Sequence, residues 1–119
     1  MSNSHELYQL IIEGIQERKG RDITLVDMMH IEDAPTPLFI IAQGTSAMQV
    51  AAIADSVREY VQEKSGVKPY NYDGYRNAEW IVIDYGHILV HIFVPEARQR
   101  YNLEELWADA VITDIENLD

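Results

Sequence analysis

Gly44-Thr45-Ser46 is the segment of this sequence best placed to bind an anion. It follows a short apolar run and precedes a helical pattern, and the first N–H groups of a helix attract negative charge. The segment lacks the lysine of a phosphate-binding loop and the further glycines of a dinucleotide fingerprint. Ser46 is also a favoured helix cap. We therefore predict a structural turn at Gly44, Thr45 and Ser46, with a phosphate site as the alternative.

Asp84 is the acid whose position invites a comparison with metal-dependent enzymes. A turn of this kind, followed by a helix and a strand, resembles the nucleotidyltransferase superfamily, whose members carry an Asp-apolar-Asp pattern on the next strand. The corresponding segment here, Trp80-Ile-Val-Ile-Asp84, has one acid. Two-metal chemistry would lack its ligands. The pattern predicts a related fold without the reaction.

His87 and His91 are the histidines whose spacing raises the question of a metal site. On a strand they would share a face but lie about 13 Å apart, at roughly 3.3 Å per residue. A zinc ion holds each ligand at about 2 Å, so one ion cannot join them. The chain has no cysteine, and no serine is paired with a base. We predict no metal, no cofactor and no catalytic residue.

Aromatic residues are concentrated around Asp84, where no second metal-binding acid is found. Residues 70–85 contain four tyrosines and Trp80, and Tyr101 and Trp107 follow. Tyr and Trp combine a large apolar area with a polar tip, which suits a docking surface. The alternative is a place in the core. Trp107 lies on an apolar helical stripe, which favours the core; for Trp80, beside Asp84, both interpretations stay open.

The segment that carries Trp80 predicts a β-hairpin. Two apolar runs, 80–83 and 88–94, are joined by Asp84-Tyr-Gly-His87. Asp and Gly in such a connection indicate a turn. Strand alternation puts Trp80 and Asp84 on one face and Tyr85 on the other. Both faces are mostly apolar, so we expect both to be covered.

The remaining elements follow from apolar periodicity, caps and prolines. In the first half we predict a helix over 4–19 capped by Ser4, a strand over 22–28, a loop over 31–37 and a strand over 38–42. A helix over 47–65 follows, with a Ser46/Gln49 capping box and a crossover to the strand at 80–84. The chain then forms a helical turn over 95–101 and a last helix that begins after Asn102 and includes Val111, and its tail frays after Thr113. The fold class is α/β, with a mixed β-sheet covered by helices. One domain would span residues 1–112, with an acidic tail over 113–119.

The charge excludes some partners. The 119 residues include 9 basic and 20 acidic side chains, for a net charge of −11. This charge disfavours direct binding of nucleic acid and favours a basic protein, although solubility alone is an alternative. No apolar run is long enough to cross a membrane, and no secretory signal is visible. The absence of cysteine fits a cytoplasmic protein.

Several ordered segments resemble the Iojap-like ribosomal silencing factor family. They are Ile41-Ala-Gln-Gly-Thr-Ser46, Gln49-Val50, Ile53-Ala-Asp55, Asp73-Gly74, Trp80-Ile-Val-Ile-Asp84-Tyr-Gly86, Val90-His91-Ile-Phe93 and Arg98-Gln-Arg-Tyr101-Asn-Leu103-Glu-Glu-Leu106-Trp107. The chain departs from the family at Pro37, Met48 and His87, where an acid often stands in place of His87. These departures affect local contacts and leave the aromatic and glycine framework intact.

The resemblance implies a nucleotidyltransferase-like fold without transferase activity. It also implies binding to a basic protein of the large ribosomal subunit, the fourteenth of its series, which would block joining of the two subunits and repress translation. The residues expected at this contact are Trp80, Asp84, Tyr85, Gly86, His91, Tyr101 and Leu103. Self-association as a homodimer is a further expectation. Two alternatives remain: a nucleotide-binding enzyme that uses Gly44–Ser46, and a homodimeric adaptor without a ribosomal role.

Overall fold

The computed structural model describes residues 4–118, with side chains from residue 7 onward. Its elements are α1 (Ser4–Glu17), β1 (Arg21–Asp27), β2 (Leu38–Gln43), α2 (Ala47–Ser65), β3 (Asn71–Asp73), β4 (Trp80–Asp84), β5 (Ile88–Phe93), α3 (Pro95–Tyr101), α4 (Leu103–Leu106) and β6 (Val111–Asp114). The predicted cap Ser4 lies outside the residues whose side chains are described. No helix in the described range is long and apolar enough to span a membrane.

The six strands form one mixed sheet in the order β3-β4-β5-β2-β1-β6. β2 and β5 are parallel, and the other neighbouring pairs are antiparallel. The predicted hairpin is present: β4 pairs with β5 so that Trp80 lies opposite Phe93 and Val82 lies opposite His91. The predicted α/β class with a mixed sheet is confirmed.

The two long helices pack on the same face of the sheet. The apolar stripe of α2 is buried against the inward residues of β4 and β5, and α1 packs beside it. Both ends of α2 match the prediction: Ser46 caps its first turn, and Gly66 ends it in the left-handed conformation at φ 75°. This face therefore holds the larger core, which contains Ile81, Ile83 and Tyr85.

The other face is covered only in part. Residues of α3 and α4 pack on β1, β2 and β5 in a second core, which contains Phe93, Ala97 and Leu103. β4 lies at the margin of this cover, and its residues on this face are half-buried. The prediction that both faces of the hairpin are covered thus holds only in part for β4. Tyr101, the last residue of α3, reaches Trp80 at one end of β4, while Val82 and Asp84 lie further along the strand.

The C-terminal region differs most from the prediction. The last helix is the single turn Leu103–Leu106, and β6 then pairs with the outer edge of β1. β-Branched residues at 111–113 favour a strand, and β1 offers them free main-chain groups. The prediction that the chain frays after Thr113 is wrong for Asp114. Further on, the Ile115 N–H donates to Ile23 O, and Asn117 exchanges hydrogen bonds with Asp22.

Arg98 joins this C-terminal region to the sheet. Its guanidinium donates to Asp22 O at 2.6 Å, to Thr24 Oγ1 at 3.0 Å and to Glu104 Oε2 at 2.9 Å. Thr24 Oγ1 in turn donates to Asp114 at 2.8 Å. The Arg98 side chain of α3 therefore links α4 to β1.

The crossover after α2 also differs from the prediction. The chain enters the sheet first at β3, a three-residue strand at the edge, and β4 follows it. β5, not β4, is the parallel partner of β2. β3 went unpredicted because its three polar and aromatic residues carry no apolar alternation.

Candidate docking face

The structure brings together some of the predicted contact residues and separates others. Trp80, His91 and Tyr101 form one aromatic cluster, together with Phe93. Asp84 lies on the same face at the other end of β4. Tyr85 points into the larger core on the opposite face, as strand alternation requires. Leu103 lies in the second core, under α3 and α4.

The aromatic cluster fixes the position of Trp80. Its ring stacks on Phe93 with centroids 5.1 Å apart, and Tyr101 covers it at 4.5 Å. The indole Nε1–H donates to Nδ1 of His91 at 3.1 Å. Trp80 therefore combines a partly exposed ring with a fixed orientation, which is what an anchor residue of an interface needs.

The bond to Trp80 also defines the state of His91. An indole N–H can only donate, so Nδ1 must accept and the proton of the neutral ring lies on Nε2. Burial lowers the pKa of His91 to about 4, so the ring is neutral near pH 7. Its Nε2 is buried without a hydrogen-bond partner among the described residues. His91 therefore holds the indole of Trp80 in place and is itself too buried to form part of a docking surface.

Around Trp80 lies what we call the open face: Trp80, Val82, Asp84 and Leu89, with Asn71 and Asp73 of β3. Directly paired residues of antiparallel strands project from the same side of the sheet, which places all six together. Trp80, Val82, Asp84 and Leu89 are half-buried, and the two β3 residues are exposed. The open face is thus an apolar strip bordered by carboxylates.

A groove of about 370 Å³ extends the open face at Trp80. It runs between the segment that links β3 to β4 and the C-terminal end of α3, with Trp80, Ala97 and Tyr101 among its lining residues. Asp73 and Glu79 bring negative charge to it, and Arg76 and Arg100 bring positive charge. Its aromatic floor and mixed rim suit a protein side chain with an apolar stem and a polar end.

The hairpin turn is shaped by Asp84 and Gly86. The carboxylate of Asp84 accepts the Gly86 N–H at 2.7 Å, and Gly86 has φ +88°. The ring of Tyr70 covers Gly86, and a Cβ there would lie 2.9 Å from it. Gly86 is therefore required by the turn, as predicted, and one oxygen of Asp84 is already engaged within the chain.

Three of the four tyrosines in residues 70–85 lie on the helix side of the sheet. Tyr72 and Tyr75 lie on the helix side, where the guanidinium of Arg58 stands 3.7 Å above the Tyr72 ring and donates to Tyr75 Oη at 3.3 Å. Burial raises the pKa of Tyr75 to about 12 and also raises that of Tyr85. These residues attach β3 to α2, so their aromatic content is a structural feature rather than part of the open face.

The expected contact residues did not include Asn71, Asp73, Val82 and Leu89 of this face, or Phe93 buried beneath it. The signal for Val82, Leu89 and Phe93 was available, because hairpin register places them beside Trp80 and Asp84. Asp73 could not be placed, since β3 itself was not predicted.

The turn at Gly44–Ser46 is a helix cap. Ser46 Oγ accepts the Gln49 N–H at 3.1 Å, and Gln49 Oε1 accepts from both Thr45 N and Thr45 Oγ1. These donors would be needed to bind a phosphate. The predicted capping box is present in altered form, since Gln49 reaches Thr45 rather than Ser46. In the described part of the chain, no three His, Asp or Glu side chains are grouped to hold a metal ion.

Comparison with known proteins is consistent with this architecture. A family model described as "Ribosomal silencing factor during starvation" matches residues 1–119. The ribosomal silencing factor RsfS of Halalkalibacterium halodurans is 36% identical over 118 residues, which cover 99% of this chain and 98% of the relative. The chloroplastic protein Iojap of Zea mays is 39% identical over 75 residues, or 63% of this chain and 32% of that protein.

Solved structures match the fold as well. A crystal structure of a protein from Chromobacterium violaceum superposes with a TM-score of 0.83 at 32% identity and covers 90% of this chain and 88% of that one. Sequence and fold agree over nearly the whole length. The chain therefore belongs to the RsfS family of ribosomal silencing factors.

Proposed function

We propose that this protein represses translation by docking its open face on a basic protein of the large ribosomal subunit, the fourteenth of its series, so that the small subunit cannot join. The observation that supports this most directly is the open face itself. An apolar strip that contains a fixed tryptophan and is only partly covered by the helices is typical of a protein interface.

Charge favours a basic partner. The open face carries Asp73 and Asp84, Glu79 stands at the adjoining groove, and the chain has a net charge of −11. Such a field repels the phosphates of ribosomal RNA and attracts a lysine- and arginine-rich protein surface. Direct, sequence-specific recognition of nucleic acid is therefore not part of the proposal.

The proposed mechanism is steric occlusion rather than catalysis. Trp80 would contribute buried area, and the free oxygen of Asp84 would accept a charge-assisted hydrogen bond from the partner. Tyr101 would complete the aromatic contact. The buried residues His91, Tyr85 and Leu103 would act through the residues they support. The site of action would be the cytoplasm, where ribosomal subunits join.

A subunit-joining experiment tests the proposal. Purified large and small subunits are mixed with increasing amounts of the protein and separated on a sucrose gradient. We expect the protein to migrate with large subunits and the peak of joined ribosomes to fall. Normal joining at saturating protein, or migration with small subunits alone, would refute the proposal.

Two charge variants locate the contact. Asp84→Asn keeps an acceptor for the Gly86 N–H but removes the charge. We expect weaker binding to large subunits and a smaller loss of binding as salt rises. The matched control is Glu63→Gln, which removes one exposed charge on α2, on the helix side of the sheet. Equal effects of the two variants would show that overall charge, and not the open face, governs binding.

A further inference from the structure

β6 is an outer strand whose free edge faces solvent. It is the last strand of the sheet, and all four of its residues are exposed. Two of them are apolar: Val111 is 56% exposed and Ile112 is 41% exposed. We call residues Val111–Asp114 the β6 edge. A strand with these properties is a template for pairing with another chain.

The register with β1 defines which main-chain groups are free. The Ile115 N–H donates to Ile23 O at 2.8 Å, and Thr113 and Val111 follow at alternate positions on the same ladder. In an antiparallel pair, the residues between them direct their N–H and C=O groups away from the partner strand. The main-chain N–H and C=O groups of Ile112 and Asp114 therefore point to the outer side of β6, where no described strand pairs with them.

The opposite edge of the sheet, β3, is less suited to pairing with another chain. β3 has three residues, and its own side chains bond main-chain N–H groups: Asn71 accepts from Tyr72 N at 2.9 Å and Asp73 from Gly74 N at 2.8 Å. On β6 the acidic side chain turns inward, where Asp114 accepts from Thr24 Oγ1. Pairing is thus disfavoured at β3 and left open at β6.

The charge around the β6 edge selects the partner. Residues 101–119 contain six acids and no lysine, arginine or histidine. Two copies pairing through this edge would bring Asp114 and Glu116 of each copy close together and repel each other, whereas a basic strand would be attracted. We propose that the β6 edge binds, by main-chain pairing, an extended segment of a basic protein in which apolar residues alternate with Lys or Arg. This contact is separate from the open face and does not depend on the proposed function.

The test uses the full chain and a short synthetic peptide in which lysine alternates with valine, observed by NMR. We expect saturable shifts of the Ile112 and Asp114 amides, and none with a peptide that has glutamate in place of lysine. Ile112→Pro removes an outward N–H but no bond to β1, and should weaken binding by about tenfold. Ile112→Thr keeps both the N–H and a β-branched side chain, and should bind within about threefold of the wild type.

Folding is checked in the same spectra, because an intact Ile115 amide signal shows that β6 still pairs with β1. If Ile112→Pro loses that signal, Glu116→Lys replaces it: this exposed change should weaken binding of the lysine peptide without altering the strand. Peptide shifts confined to other parts of the sheet would overturn the proposal. Concentration-dependent self-association that Ile112→Pro abolishes would also overturn it, since the occupant would then be a second copy.

Discussion

Trp80→Ala removes the residue on which the open face depends, and its effect on stability follows from the structure. The indole contacts the rings of Phe93, Tyr101 and His91, and its N–H satisfies the Nδ1 acceptor of His91. Removing a buried Trp side chain costs about 3–5 kcal/mol. Since Trp80 is only half-buried, we expect the free energy of unfolding to fall by about 3 kcal/mol, part of it from the unpaired histidine.

The effect on binding is separated from stability by a second variant. Trp80→Phe keeps most of the ring contacts but loses the N–H donor, so it should cost only about 1–2 kcal/mol of stability. Urea unfolding gives both values. Co-sedimentation with large subunits, at a temperature where both variants are folded, should show Trp80→Ala bound more than about fivefold more weakly than wild type. Folded Trp80→Ala with wild-type affinity would refute the assignment of Trp80 as an anchor.

Three further predictions concern the support of this face. Because the pKa of His91 is lowered from 6.5 to about 4 in the folded state, its contribution of about 3 kcal/mol is complete above pH 6.5 and lost as the pH falls towards 4. Urea midpoints should show this pH dependence in the wild type and not in His91→Gln. Arg98→Lys should lower the free energy of unfolding by about 2 kcal/mol, because one ammonium group cannot donate to all the acceptors that the guanidinium reaches. The control is Arg100→Lys, at an exposed site, which should change this free energy little. Thermal melts measure both variants. Gly74→Ala should cost more than about 3 kcal/mol and shift the Trp80 fluorescence, since a Cβ would lie 2.1 Å from the Trp80 carbonyl oxygen at φ +102°; Gly66→Ala, with φ +75° and open space, should cost about 1 kcal/mol.

Elements with strong local signals could be predicted from the sequence. The helix over 47–65 has an apolar stripe, a serine cap and a glycine stop, and its bounds match those of α2. The hairpin was predicted because Asp84 and Gly86 interrupt two β-branched runs. Here local preference and tertiary structure agree, so periodicity and caps contain enough information.

Elements that depend on distant partners could not be predicted in this way. β6 is a strand because the outer edge of β1 was free to pair with it, and Arg98 of α3 bonds Asp22 of β1 across more than seventy residues of sequence. β3 is a strand because β4 lies beside it, while Arg58 holds Tyr72 and Tyr75 from α2. The sequence contains the residues that make these contacts, but residue types alone do not show which distant residues come together in space.

The same distinction applies to the candidate site. Aromatic composition identified Trp80 and Tyr101, but composition alone cannot separate a docking aromatic from one that braces the fold. The structure places them on different faces: Trp80 and Tyr101 lie on the face opposite the two long helices, while Tyr72, Tyr75 and Tyr85 face those helices. This placement supports Trp80 and Tyr101 as the proposed contacts. Because His91 and Phe93 hold the indole before any partner arrives, docking would lose little side-chain entropy at Trp80. It follows that variants of His91 should weaken docking chiefly by freeing the indole, since the buried His91 side chain would not itself reach the partner.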